Sequence, residues 1–268
     1  MTVHWLNNLE KRAIMHSFYL EPQGWPDEDG RGCTMEGQEA RHLSKALRIR
    51  EGETVRLLDG AGRTGEVRVE ASGKNAVELV MLGHQLHPRK AGRCFLAAAY
   101  TKAARRSWLL EKSVELEAGG IWFWQAEHSQ AKVPEASKEN WQDQLIAGAK
   151  QCRNPWLPEL DTIRNGAAEL IARAEGFSGR YLLLEDESTD KMLSLEDLEP
   201  VRRTGGNGDF IFVMGPEGGL SEAEVRLFMQ AGFKSVSLGR RVLRWETAGL
   251  LCLGLAYWAR ELRGQGQV

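Results

Sequence analysis

The sequence predicts an α/β protein in two parts, a small β-barrel followed by a mostly parallel sheet with helices on both faces. Three observations predict it. Short alternating strands crowd the stretch from Phe18 to about His87, as in a small barrel. From Cys94 onward strand and helix patterns alternate, which builds a parallel sheet. Two strand-to-loop transitions then fall close together between Phe210 and Ala248, each loop rich in glycine or arginine. A parallel sheet forms its ligand crevice at the carboxyl ends of its strands, so this pair of loops points to a small-molecule site.

Residues 1–14 are polar and irregular and read as an N-terminal extension, with Met15 a candidate start. A helix over Trp5–Ile14 is the alternative. Met15 to Leu20 reads as the first strand, and Gly37–Ala46 as one short helix. Thr54–Asp59, Glu66–Glu70 and Ala76–Leu82 alternate or nearly so, with Asp59-Gly60 and Ser72 to Asn75 marking the turns between them. His87 to Gly92 reads as a linker, which places the first domain at 15–88 and the second at 89–268.

In the second domain the expected elements are strand Cys94–Ala99, helix Ala104–Ala118, strand Ile121–Gln125 and helix Lys138–Gln151. A helix near Ala167–Glu175 and strands Tyr181–Leu184 and Phe210–Met214 follow. Helix Ser221–Ala231, strand Ser235–Leu238 and helix Glu246–Arg263 complete the domain. The helix after Ser221 is well specified. Ser221 is the N-cap, Glu224 completes a capping box, Leu220 can staple onto Val225, and Gly232 closes the helix. The loop Gly215–Leu220 is thereby pinned between a buried strand and a fixed helix start.

The chain has 268 residues and 42% hydrophobic content, enough to bury a core. No apolar run is long enough to span a bilayer, and the start lacks a basic-then-apolar signal pattern, so a cytoplasmic chain is expected. Cys33, Cys94, Cys152 and Cys252 are scattered, without ligand spacing, so no metal is expected. A net charge of −2 is uninformative about nucleic acid, although a local basic stripe would serve.

Gly60 to Gly65 matches G-x-G-x-x-G but precedes a strand rather than opening a helix, so it reads as a hairpin loop. Gly215-Pro-Glu-Gly-Gly219 lacks the Gly-Lys-Ser/Thr of a P-loop, yet its glycines let backbone approach a ligand. Arg244 stands just before the last helix, where a side chain can reach the crevice. That helix carries Gly249, Cys252, Ala256 and Ala259 on one smooth face. Tight packing on the sheet and a helix–helix dimer contact both suit such a face; the dimer contact is the expectation. Lys102, Arg105 and Arg106 begin one helix, and Arg41, His42, Lys45, Arg48 and Arg50 cluster in the first domain. Each cluster reads as a solvated face or as a phosphate track.

The Gly215–Gly219 loop, followed by Ser237-Leu-Gly-Arg-Arg-Val-Leu-Arg-Trp-Glu-Thr-Ala248, resembles the RsmE family. These are SPOUT-class methyltransferases that act on N3 of a uridine in bacterial small-subunit ribosomal RNA. The resemblance runs over nearly the whole chain from Met15. Arg41 to Arg48 with Asp59-Gly60 looks like the family's PUA-like barrel, Lys102 to Leu116 like its first methyltransferase helix, and Lys150 to Pro158 like its central segment. The chain departs from the pattern at Ser17, where the family has a basic residue. It also lacks a glycine between Cys152 and Arg153, and has Arg240 in place of proline and Trp245 in place of threonine.

The resemblance implies a C-terminal trefoil knot, a homodimer, and S-adenosyl-L-methionine held by three loops. By position those loops are Leu184 and Glu185; Gly215, Pro216, Glu217, Gly218 and Gly219; and Leu238, Gly239, Leu243 and Arg244, with Thr247 and Ala248 opening the last helix. Arg244 is the first candidate to stabilise a uridine N3 anion, and Glu217 a candidate acid–base or orienting group. Arg41, His42, Lys45, Arg48, Lys102, Arg105 and Arg153 are expected to hold 16S ribosomal RNA, the target base being unstacked. A ribose 2′-hydroxyl methyltransferase and a non-catalytic RNA-binding assembly protein are the rival readings.

Overall fold

The structure is a computed structural model and describes residues 15–26, 32–73, 75–184, 191–198 and 208–265. The proposed extension 1–14 therefore lies outside the described residues, as does Glu185. The chain divides into two compact units: Met1–Pro88 with Arg153–Trp156, and Arg89–Cys152 with Leu157–Val268.

The first unit holds β1 (Ser17–Tyr19), β2 (Gly32–Glu36), α1 (Gly37–Arg41), β3 (Thr54–Leu58), β4 (Arg63–Ser72) and β5 (Ala76–Leu86). They form one sheet in the order β1-β3-β4-β5-β2, antiparallel except for β1 against β3. On β4 the alternation works as read: Val67 and Val69 are buried, while Arg68 and Glu70 face out. Register shifts at Glu66/Val67 and Val69/Ala71 bend the β4–β5 ribbon around the core of Phe18, Leu43, Leu57, Val67 and Leu79. No ladder joins β1 to β2 among the described residues. Instead Glu39 on α1 accepts a 3.0 Å hydrogen bond from the Tyr19 amide.

The expected helix Gly37–Ala46 divides. α1 ends at Arg41, and His42–Ala46 widens into a π turn in which the Leu47 amide reaches the His42 carbonyl. Gly60 to Gly65 lies at the hairpin connection between β3 and β4, as its position before a strand predicts. The buried Asp59 carboxylate takes the Ala61 and Arg63 amides at 2.8 Å each and Arg63 Nε at 2.6 Å. A Cβ on Gly62 would lie 2.4 Å from the Trp156 ring, so the loop and the 153–156 segment require glycine there. β2 went unread because its short run mixes polar and apolar residues after a glycine.

The second unit holds β6 (Cys94–Ala99), α2 (Ala103–Glu115), β7 (Gly120–Trp124), α3 (Glu139–Cys152), β8 (Glu159–Ile163), α4 (Gly166–Arg173) and β9 (Gly179–Leu183). It continues with β10 (Phe210–Met214), α5 (Glu222–Gln230), β11 (Lys234–Val236) and α6 (Trp245–Gln265). Its six strands are all parallel, in the order β11-β9-β10-β6-β7-β8. β6, β7 and β10 are buried on both faces, which is why they read as continuous apolar runs. Phe95, Ala97 and Ala99 of β6 lie in the cluster that takes Leu170 from α4 and Phe228 from α5. Leu96 turns the other way, beside α6 and Leu109 of α2. Helices thus cover both faces. No helix among the described residues is long and apolar enough to cross a membrane. The connection from β9 to β10 includes 185–190 and 199–207, outside the described residues, and with it the threading that a knot requires.

The unread strand β8 lies at the sheet edge. Glu159 pairs there with Arg93 at 2.6 Å and Arg89 at 3.5 Å, and Asp161 pairs with Arg173. The capping box of α5 is formed: the Glu224 amide donates to Ser221 Oγ at 3.2 Å and the Ser221 amide to Glu224 Oε2 at 3.0 Å. Ser221→Ala is expected to lower stability by about 1 kcal/mol, read as a shifted urea midpoint at constant slope. An unshifted midpoint would mean that the cap contributes nothing.

The dimer reading of the small-residue face is corrected. A Cβ on Gly249 would lie 2.9 Å from Leu96 and 3.3 Å from Leu109, and Cys252, Ala256 and Ala259 are buried. This face of α6 packs on the chain's own sheet and on α2. The outward side of the helix carries Leu251, Trp258 and Leu262 instead.

Candidate active site

Register brings three loops together. Leu183 of β9 sits opposite Met214 of β10 and opposite Val236 of β11. Leu184, Gly215 and Ser237 therefore leave the sheet side by side, at the carboxyl ends where such sheets bind ligands. The Leu184 amide donates to the Val236 carbonyl at 3.1 Å. Alongside, Ser237 exchanges backbone hydrogen bonds with Lys191 (3.0 Å) and Leu193 (2.9 Å).

That flanking segment is anchored by Asp197. Its carboxylate accepts from Lys191 Nζ at 2.8 Å and from the Ser194 amide and hydroxyl at 3.1 and 2.9 Å. Burial alone would raise this carboxyl, but Lys191 and Ser194 outweigh it and hold it below the usual range. Its backbone carbonyl accepts from the Tyr181 hydroxyl. Burial, with the Asp197 charge, pushes that phenol up to about 12.

The second loop, Gly215–Gly219, is held from three sides. Trp124 Nε1 donates to the Met214 carbonyl at 3.1 Å, and the Gly219 amide closes a turn on the Pro216 carbonyl at 2.9 Å. The loop after β7 supplies His128 Nδ1 to the Gly219 carbonyl at 3.2 Å and Gln130 Nε2 to Glu217 Oε2 at 3.5 Å. From α2, Arg105 forms an ion pair with Glu217 and stands 3.7 Å from Glu246 Oε2. Pro216 is buried, whereas Glu217, Gly218 and Gly219 are exposed.

In the third loop, Leu238, Gly239 and Leu243 are half-buried and Arg244 is exposed. Leu238 lies past the end of β11 rather than inside the expected strand. Gly239 has φ 118°, with no described residue within 4 Å of where a Cβ would stand. The Arg244 carbonyl accepts the Ala248 amide at 2.9 Å, which fixes its backbone to α6, and its guanidinium has no ion-pair partner among the described residues. Thr247 is exposed and Ala248 buried.

These surroundings fit a polar ligand. Among the described residues Trp245 Nε1 and Glu246 Oε2 are buried without a hydrogen-bond partner, one a donor and the other an acceptor, Glu246 having only the longer ion pair with Arg105. Such atoms are costly unless something bonds them. Open space stands over Gly219 and Gly239.

The basic clusters separate into different roles. Arg41, His42, Lys45 and Arg48 are all exposed on α1 and the turn after it, with Arg48 in the left-handed region at φ 54°. Lys102 and Arg153 are exposed too. Arg105 is instead engaged by carboxylates, which competes with any phosphate. Arg106 folds inward over the Tyr100 ring at 4.1 Å and the Trp141 ring at 5.5 Å, and burial lowers its pKa. Sequence reasoning missed His128, Gln130 and Glu246. The polar run Glu127 to Gln130, two residues beyond the apolar strand β7, is the available signal for the first two.

Residues 88–257 match an RNA methyltransferase domain model, and residues 36–82 match the PUA domain of RNA methyltransferases. The ribosomal RNA small subunit methyltransferase E of Mycobacterium tuberculosis is 26% identical over 243 residues, covering 88% of this chain and 89% of the relative. The Bacillus subtilis protein of the same name is 24% identical over 256 residues, covering 93% and 99%. Among solved structures, a Legionella pneumophila methyltransferase with bound SAM superposes with TM-score 0.77 at 26% identity, over 91% of this chain and 98% of that one. The Neisseria gonorrhoeae ribosomal RNA small subunit methyltransferase E, bound to S-adenosyl methionine, gives TM-score 0.72 at 26% identity over 89% and 95%.

Proposed function

Since the chain belongs to the RNA methyltransferase family, its residues 88–257 matching that family's domain, we propose that it methylates N3 of a uridine in 16S ribosomal RNA. Its relatives named ribosomal RNA small subunit methyltransferase E, one of them solved with S-adenosyl methionine, support an S-adenosylmethionine-dependent methyltransferase of small-subunit ribosomal RNA. One observation supports the site best: three loops leave adjacent parallel strands together, with Arg244, unpaired among the described residues, at their edge.

S-adenosylmethionine supplies an electrophilic methyl group, so that a nitrogen–carbon bond forms as the sulfur–carbon bond breaks. Backbone of Leu184, Gly215–Gly219 and Leu238–Leu243 would hold it, with Trp245 Nε1 and Glu246 Oε2 as buried polar contacts. Uridine N3 carries a proton at neutral pH and must lose it before it can attack. Arg244 stabilises the resulting anion by charge. In this reading Glu217, which pairs with Arg105 and meets Gln130, takes the proton or passes it to water. Arg41, His42, Lys45 and Arg48 form an exposed basic track for surrounding RNA.

The protein is further proposed to dimerise through the outer face of α6, where Leu251, Trp258 and Leu262 form an exposed apolar stripe. Trp258→Glu is expected to convert a dimer to monomer in equilibrium sedimentation, and a Trp258→Glu dimer would overturn this interface.

The activity is tested with labelled S-adenosylmethionine and unmodified small ribosomal subunits, followed by digestion of the RNA to nucleosides. Label is expected in 3-methyluridine. Label in a 2′-O-methyl nucleoside would transfer the enzyme to ribose methylation. Absence of both label and cofactor binding would refute an enzymatic role.

A further inference from the structure

A second cleft, of about 640 Å³, opens beside the proposed active site. It lies at the carboxyl ends of β7 and β8, and its lining includes Gln125, Glu127, Lys132, Arg164, Asn165 and Glu224. Because all six strands run parallel, this cleft shares the sheet edge from which the Gly215–Gly219 loop emerges. Three interstrand spacings separate β10 from β8, roughly 14 Å. A short run of nucleotides covers such a distance.

The lining is built and partly free. Gln125 is used to shape the wall: its Oε1 accepts the Val133 amide at 2.9 Å and its Nε2 donates to the Ala126 carbonyl at 3.3 Å. Glu224 is also spent, its two oxygens taking the Glu127 and Ser221 amides at 2.8 and 3.0 Å. Lys132, by contrast, is exposed and has no partner among the described residues. Among the described residues Arg164 meets only the exposed Glu135, at 3.1 Å, and a surface pair of that kind is worth little enough to be exchanged. The Asn165 side chain makes no capping bond on α4, and the exposed Glu127 carboxylate has no cation partner among the described residues. Two cations, an amide and one carboxylate thus remain for a ligand.

We infer that this cleft is a subsite for a nucleotide of the substrate RNA other than the one methylated. Its phosphate lies on Lys132 and Arg164, and a base N–H is taken by Glu127 with Asn165 beside it. A free anion alone would not suit the pocket, because Glu127 repels it; a nucleotide carries both an anion and donors. The loop that frames the cleft also holds the active-site loop, through His128 on Gly219. Filling the cleft therefore fixes the strand next to the reacting base.

The inference rests on the methyltransferase reading, and the experiment separates the two. Full-length Lys132→Ala/Arg164→Ala enzyme is compared with wild type on unmodified small subunits at several salt concentrations. The variant is expected to raise KM for subunits about tenfold, with kcat and S-adenosylmethionine affinity unchanged. The salt dependence of log KM is expected to fall by about 0.7 per lost phosphate contact. Glu127→Gln is expected to raise KM without changing that slope. A KM and salt slope equal to those of an active wild type would overturn the subsite alone. A wild type that binds cofactor but methylates no RNA would overturn the activity, and the subsite with it.

Discussion

Arg244→Ala is expected to lower methyl transfer about 10²–10³-fold while leaving S-adenosylmethionine affinity within about threefold of wild type. The magnitude is that of removing one preorganised charge from a developing anion. Arg244 is suited to this because its backbone is tied to α6 through the Ala248 amide while its guanidinium has no ion-pair partner among the described residues. Nothing must be broken before it meets the base. The loss is expected mainly in kcat, since the charge it opposes is present only during reaction. Raising the pH should partly restore the variant, because more uridine then ionises without help. Full activity in Arg244→Ala would remove this residue from the chemistry. Loss of cofactor affinity equal to the loss of rate would make it a binding residue instead.

Gly239→Val is expected to weaken cofactor binding at least about 100-fold and to destabilise the fold by about 1–3 kcal/mol. Two effects combine. A φ of 118° is costly for any residue with a Cβ, and most of all for a β-branched one. The space over Gly239, open among the described residues, is also where the new side chain would stand, in the path of a cofactor bound as proposed. Gly239→Ala separates the contributions: it carries the backbone strain with less of the obstruction. Calorimetric titration with S-adenosylmethionine reads the first effect and a denaturant midpoint the second. An unchanged affinity in Gly239→Val would place the cofactor elsewhere.

Much of the second unit was legible because its signals are local. The α5 cap needs only Ser221 and Glu224, three residues apart, and both bonds are formed. Buried strands such as Phe210–Met214 announce themselves as apolar runs. β8 did not, because an edge strand carrying Glu159 and Asp161 has no such run. Convergence of the three loops depends on β9 lying between β10 and β11, a long-range pairing that no local pattern encodes. The same holds for Arg105, whose acidic partners Glu217 and Glu246 are far away in sequence. The small-residue face of α6 misled for a different reason. Gly249, Cys252, Ala256 and Ala259 suit any close contact, and spacing alone cannot say whether the neighbour is Leu96 of the same chain or a second helix.

The borders of the parallel sheet bear on solubility. An exposed strand border is a template for adding a further strand, the first step toward fibrous aggregates. Here one border is β11, only three residues long. The other is β8, where Glu159 and Asp161 stand engaged with arginines. A strand arriving there would have to displace or desolvate those ionised pairs. Growth by lateral strand addition is thereby suppressed at both ends, and concentrated protein is expected to stay free of thioflavin-positive fibrils, its self-association confined to helical surfaces.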